Sequence, residues 1–306
     1  IADVASELEV VSGKQSFRSG FRVLFNKRIV EAPTATSLPT ITPTMTFTAL
    51  PPTEAPTSTQ IPLPYKAVVK ITAKVKHSSL LRPLWGGSGT IVTPDGLILT
   101  NAHLVLPIPG ARPDAFVIGI TQDPSEPPID MFYAEPVETN EDLDLAIIRI
   151  VSDLQFKPVD WQQTILPTVP LGNSDDVQLG DPLIILGYPG IGGDTITLTS
   201  GNVGGFTAQR KYGDRAYIKT SASISGGTSG GVALNSAGQM IAIPTQLGSG
   251  DEESVVDCRV ITDTNGDGRV DQRDACVPVG GFINALRPIN LGIALLVSAR
   301  QALGLR

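Results

Sequence analysis

The stretch "SISGGTSGGVALNSAGQMIAIPT", residues 223–245, places a single serine, Ser229, between two glycine pairs. Such a serine is either a nucleophile presented on a tight turn or part of a flexible loop. Glycine alone does not decide between them. A hydroxyl becomes a nucleophile when a base takes its proton, and the base works best when a carboxylate orients it. The decision therefore depends on what lies upstream.

The residues that follow read as strand, turn, strand, with "NSAG" as the turn. Most of the chain after Tyr65 has the same texture. "AVVKITAKV", "GGSGTIVTPDGLILTNA", "AFVIGIT", "LDLAIIRI", "DPLIILGYPG", "TLTSGNVGGF" and "AYIKTSAS" are short apolar runs separated by turn residues, as in an all-β barrel or sandwich. "INLGIALLVSARQALGLR" is the one amphipathic helix, at the C-terminal end. Ahead of these runs, residues 32–64 are dominated by proline and threonine without apolar periodicity. They read as an extended linker of about 100 Å if wholly polyproline-like, of a kind often O-glycosylated. Residues 1–31, containing "FRSGFRVLFNKRIV", read either as one strand or as a remnant with no fold of its own.

A net charge of −7 and a pI near 4.9 argue against a nucleic-acid partner, which needs a concentrated basic face. No apolar run approaches the roughly 20 residues of a membrane helix. Residue 1 is Ile rather than Met, so the lack of a leader carries no information.

Two histidines make the search for a base short. His77, in "AKVKHSSLL", lies in a polar, turn-like context. His103 follows two apolar runs joined by "PDG", which would deliver it to a strand end; a histidine there is also commonly structural. The acid candidate lies in "NEDLDLAIIRI". Asp144 is flanked by Leu143 and Leu145 and so can face a semi-buried groove, whereas Asp142 reads as an exposed strand start.

Together, "LTNAH" around His103, "DLAII" from Asp144 and "GTSGG" around Ser229 resemble the chymotrypsin-fold serine peptidases, particularly the bacterial HtrA/Deg-type branch. The His–Asp–Ser order and the intervals of 41 and 85 residues are similar too. "LGNSDDVQLGDPLIILGYPG" and "TLTSGNVGGF" look like that family's inter-barrel segment and first second-barrel hairpin. The likeness covers about residues 64–300. It implies an all-β fold of two six-stranded antiparallel barrels with a C-terminal helix, spanning about 65–165 and 166–300, inside a protease domain of 65–306. By the same resemblance His103 is the base, Asp144 its orienter and Ser229 the nucleophile, with N–H groups of Gly227 and Ser229 forming the oxyanion hole.

Departures narrow this reading. Thr228 stands where zymogen-type relatives carry aspartate, so activation by a freed N-terminus at "RIVEA" is not expected. Ser223, six residues before the nucleophile, replaces the aspartate of relatives that cut after Arg or Lys, favouring apolar or small P1 residues. Pro244, Thr245 and Gln246 align with the strand expected to pair with substrate backbone.

A second motif lies in an insertion at about 250–282. "DTNGDGRVDQRD" has oxygen ligands at positions 1, 3, 5, 9 and 12 and glycine at 6, the spacing of a calcium loop. Asp263, Asn265, Asp267, Asp271 and Asp274 would ligate by side chain and Arg269 by its carbonyl; the loop resembles those of dockerins. Cys258 and Cys276 bracket it, and a disulfide between them would add roughly 3 kcal/mol. The expected protein is a serine endopeptidase acting on proteins or peptides, with structural calcium and no catalytic cofactor. It is expected in the extracellular space or cell envelope, with membrane or surface tethering through the segment before the linker. Its rivals are a catalytically silent protease-like binding domain and a calcium-dependent adhesion module.

Overall fold

The computed structural model describes residues 3–12, 15–23, 62–78, 80–190, 192–245, 258–259, 268–271, 273, 277–278 and 284–305. The chain divides into two compact units, Ile1–Ser58 and Thr59–Arg306. In the first, β1 (Asp3–Ser12) and β2 (Gln15–Val23) form an antiparallel hairpin with Ser12 opposite Gln15. Residues 1–31 thus contain two paired strands rather than one.

The second unit holds two closed six-stranded antiparallel barrels and one helix, the expected fold class. The first barrel comprises β3 (Val68–His77), β4 (Leu80–Ile91), β5 (Leu97–Thr100), β6 (Ala115–Ile120), β7 (Ile129–Asn140) and β8 (Leu145–Asp153), in the order β3-β4-β5-β8-β7-β6. It closes where β6 pairs with β3, Ile71 opposite Ile118. The second uses β9 (Pro182–Gly187), β10 (Thr197–Gln209), β11 (Gly213–Thr220), β12 (Val232–Leu234) and β13 (Met240–Thr245). Between β13 and its last strand lies a small pair, β14 (Cys258–Arg259) with β15 (Val277–Pro278). That last strand is β16 (Asn284–Pro288), and the order is β10-β11-β16-β13-β12-β9.

Closure buries one face of every strand. Ile71, Ile91, Leu99, Ile118, Leu145 and Ile147 fill the first barrel, each at most 1% exposed. Leu183, Ile185, Ile218, Ile241 and Leu286 fill the second. Each such side chain contributes about 1.5–3 kcal/mol of apolar burial. The first core continues through Leu186, Val232 and Ile243 of the second barrel, so the barrels share a seam. Helix α1 (Ile289–Ala302) closes that seam by burying Ile289, Leu295, Leu296 and Ala299. Pro288 stands at its N-cap, where a missing N–H costs nothing.

Candidate active site

The two side chains of the upstream pair come from adjacent strands of the first barrel. β5 and β8 are neighbours, with Thr100 opposite Ala146. A single helical turn after β5 carries His103, and the residue immediately before β8 is Asp144. Strand pairing thus brings positions 41 residues apart into contact. His103 Nδ1 lies 2.8 Å from Asp144 Oδ2, and the His103 backbone N–H donates to Asp144 Oδ1 at 2.9 Å. With both carboxylate oxygens held from the histidine's side, the imidazole has one orientation and its Nε2 faces away from the carboxylate.

Asp144 has φ of +52°, a left-handed conformation uncommon outside glycine, though aspartate adopts it more readily than most residues. Its N–H donates to Glu141 O, and its carbonyl accepts from Asn101 Nδ2 at 2.7 Å. Asn101 Nδ2 also reaches Thr245 Oγ1 at 3.3 Å, and Thr245 Oγ1 in turn donates to Asp144 Oδ2 at 2.9 Å. Asp142 is exposed, as its context suggested, and pairs with Lys211 Nζ at 2.6 Å. That pairing holds its carboxyl below the usual range. His77 is exposed at the end of β3.

Ser229 belongs to the second barrel, on the loop between β11 and β12, yet it is knitted to the first. Ser88 of β4 donates its N–H to Ser229 O at 2.9 Å, and Ser88 Oγ donates to Gly227 O at 2.7 Å. Next to the serine, Gly230 lies so close to Thr100 and Asn101 that a Cβ would fall 2.3 Å from Thr100 Oγ1. The serine loop is therefore packed onto the strand end that leads to His103. Ser229 is 1% exposed and its Oγ has no hydrogen-bond partner. Carboxylate and imidazole are joined directly; the hydroxyl is not bonded to the imidazole.

Gly227 has φ of +95°, and a Cβ there would sit 2.4 Å from Tyr188 O, so only glycine fits. The preceding carbonyl, Gly226 O, accepts from Gly190 N–H at 2.7 Å, which sets the plane of the 226–227 peptide. Among the described residues, the N–H groups of Gly227 and Ser229 donate to no protein acceptor. This loop thus combines a shielded hydroxyl with two free backbone donors.

Ser223, Ile224, Ser225 and Thr228 of the same loop line a cavity of about 460 Å³ together with Asn284. The substrate-strand expectation is corrected at Pro244: it has no N–H, and its carbonyl is taken by Gly230 N–H at 3.0 Å. The Thr245 side chain faces Asp144. Gln246 lies outside the described residues.

So do Asp263, Asn265, Asp267, Asp274 and Cys276 of the insertion, and Cys258 is described in its backbone only. Among the described residues, Arg269 is exposed and Asp271 binds Arg273 through its backbone N–H and its guanidinium. Gly268, at position 6 of the loop, has φ of +80°. Cys258 opposite Pro278 and Arg259 opposite Val277 close the base of the insertion. No group of three His, Cys, Asp or Glu capable of holding a metal occurs among the described residues. No helix among them is long and apolar enough to cross a membrane.

Four participants escaped sequence reading. Asn101 lies within "LTNAH" but was not singled out. Ser88 and Lys211 carry no local signal, since their partners are 139 and 69 residues away. Arg287 had one: a lone cation inside the apolar strand "NALRP".

Two fused barrels with a His–Asp pair at their junction and a glycine-flanked serine on the facing loop define the trypsin-like class of architecture. The family profile described as "Trypsin-like peptidase domain" matches residues 87–243, just over half of the chain, and the chain belongs to that family. It is 31% identical over 178 residues to "Serine protease HTRA4" of Homo sapiens, covering 57% of this chain and 33% of that protein. It is 35% identical over 164 residues to "Putative serine protease HhoA" of Synechocystis, covering 53% and 36%. Against "Serine endoprotease DegS" of Haemophilus influenzae, identity is 29% over 160 residues, covering 52% and 41%. The chain thus spans about a third to two fifths of the length of these curated relatives. All three relatives are named as serine proteases, one of them putative.

Proposed function

We propose that the chain is a serine endopeptidase in which Ser229, His103 and Asp144 form the catalytic triad. The observation that carries this reading is the His103–Asp144 pair, held from both carboxylate oxygens. It sits beside a loop whose buried hydroxyl and two backbone N–H groups have no protein partner. A substrate carbonyl supplies what all three lack. Ser229 Oγ rotates toward His103 Nε2, gives up its proton and attacks the carbonyl carbon. The resulting oxyanion accepts from Gly227 N–H and Ser229 N–H. His103 then protonates the leaving amine, and water repeats the cycle to release the acyl group. Asp144 holds the Nδ1–H tautomer and stabilises the imidazolium. The unbonded serine is compatible with this, because catalytic hydrogen bonds commonly tighten only on substrate binding.

Ser223 and Ile224 at the cavity wall favour an apolar or small P1 residue over a cationic one. The test is labelling by a fluorophosphonate probe alongside cleavage of a peptide library. Wild type should label and cleave, and Ser229→Ala should do neither. Wild-type protein that stays unlabelled would favour the silent binding domain, for which the unbonded Ser229 hydroxyl is the specific support.

We also propose that residues 263–274 hold calcium structurally. The residues fit in two respects: the left-handed Gly268 supplies the sharp turn required at position 6, and the paired strands at the base hold the loop ends together. Bound calcium would neutralise the clustered carboxylates and stiffen the insertion. A Cys258–Cys276 disulfide, the calcium loop and the Pro/Thr linker together support a location outside the cytoplasm; a thiol assay on exported and cytoplasmically expressed protein tests it.

A further inference from the structure

Arg287 is 2% exposed, the largest fully buried side chain among the described residues, and it lies outside the residues matched by the family profile. A guanidinium has five N–H donors and is expensive to bury unless all are used. Here all five are. Nε donates to Leu143 O at 2.7 Å. One terminal nitrogen donates to Gln209 Oε1 at 2.6 Å and Ala216 O at 3.2 Å. The other donates to Asp142 O at 3.1 Å and to the Tyr217 hydroxyl. The guanidinium also stacks 3.7 Å over the Tyr217 ring.

Two of those acceptors are the carbonyls immediately before Asp144. Gln209 Nε2 adds a second donor to Asp142 O at 3.2 Å, and Asn101 takes the carbonyl of Asp144 itself. Three consecutive carbonyls, 142 to 144, are thus each tied by a side chain, two of them by a residue of the second barrel. This is the segment that bends into the left-handed conformation at Asp144 and so aims the carboxylate at His103. We infer that Arg287 is a positioning residue: from the second barrel it clamps the backbone that presents Asp144, and it makes the His103–Asp144 alignment depend on how the barrels are docked. The inference rests on the peptidase reading for its effect on turnover, but its effect on alignment does not.

The experiment compares wild type with Arg287→Met, Arg287→Lys and Gln209→Ala in the full chain. In each, kcat and KM are measured on a cleaved peptide. The deshielded proton resonance of His103 Nδ1–H is recorded without substrate, with His77→Gln to assign it, since the chain has two histidines. Arg287→Met should lose at least tenfold in kcat, with KM within twofold, and should weaken or broaden the resonance. Arg287→Lys should recover part of both. A folded Arg287→Met that keeps wild-type kcat and resonance overturns the inference. So does one that loses activity with the resonance intact, which would mark the residue as merely structural. Should Arg287→Met fail to fold, the other two variants decide, and wild-type behaviour in both overturns it. A wild type that cleaves nothing, with the resonance still dependent on Arg287, would sink the peptidase reading and leave this one standing.

Discussion

Thr245 Oγ1 donates at 2.9 Å to Asp144 Oδ2, the same oxygen that receives His103 Nδ1–H at 2.8 Å. The two donors come from different barrels, so the carboxylate is gripped across the seam. Hydrogen bonds to a charged acceptor contribute about 1.5–3 kcal/mol. Thr245→Val should therefore lower kcat by about tenfold or more while leaving KM within a few-fold, and Thr245→Ser should restore most of it. Steady-state kinetics on one peptide substrate check this.

Asp144→Asn keeps the shape of the acceptor but offers an amide that can present N–H to the imidazole. The wrong tautomer is then stabilised, and kcat should fall by about 10⁴-fold with the fold intact. Circular dichroism and active-site titration, run together, separate lost chemistry from lost structure.

Gly227→Ala would place a methyl group 2.4 Å from Tyr188 O at a φ of +95°. The peptide must shift, and with it an oxyanion donor. We expect a fall of about 10²–10³ in kcat, together with weaker inhibition by peptide aldehydes, whose adducts place an oxyanion at that position. Unchanged aldehyde affinity would remove Gly227 from the oxyanion hole.

Tyr188 carries a pH signature. Its hydroxyl accepts from Thr121 Oγ1 at 2.6 Å and donates to Val68 O at 3.1 Å, and burial raises it above the ordinary tyrosine range. Above pH of about 10 the unfolded chain releases this proton while the folded chain retains it. The contribution to stability is thus complete below that pH and is lost as pH rises through the folded value. Urea melts from pH 8 to 11 should show less alkaline decline for Tyr188→Phe than for wild type. At neutral pH the variant should be about 1–3 kcal/mol less stable, because a buried acceptor loses its donor.

Chelation tests the insertion. If residues 263–274 hold calcium, EDTA should lower Tm in wild type, and added calcium should restore it in proportion to log concentration. Asp267→Ala should abolish the dependence. A melting curve indifferent to EDTA and calcium would end the proposal.

The fold was legible in the sequence because period-two apolar runs and punctuating turns are local signals. "LDLAIIRI" became β8, and "GVALNSAGQMIAIPT" became the β12–β13 hairpin, with a register shift between Ala233 and Leu234. The first unit was less readable: β1 is interrupted by a register shift between Asp3 and Ser6, and its charges obscure the alternation. At the site, His103 and Asp144 could be named because each ends or begins a strand in a recognisable phrase. Thr245 was named for its place on a strand, and a strand position does not reveal that its hydroxyl is tied to Asp144. Arg287 could not be assigned at all, for its five partners lie on five other residues, between 70 and 145 positions away.

Thr245 stands opposite Ala285 in the β13–β16 ladder, so the chain departs from the barrel and rejoins it at adjacent rungs. Whatever fills the interval is anchored at both ends by the barrel's own pairing and imposes no span on it. Such a gap can lengthen, shrink or be exchanged for another module with little topological consequence. Grafting a short turn across it should leave both barrels closed, and grafting a longer domain should add an appendage at that edge of the second barrel.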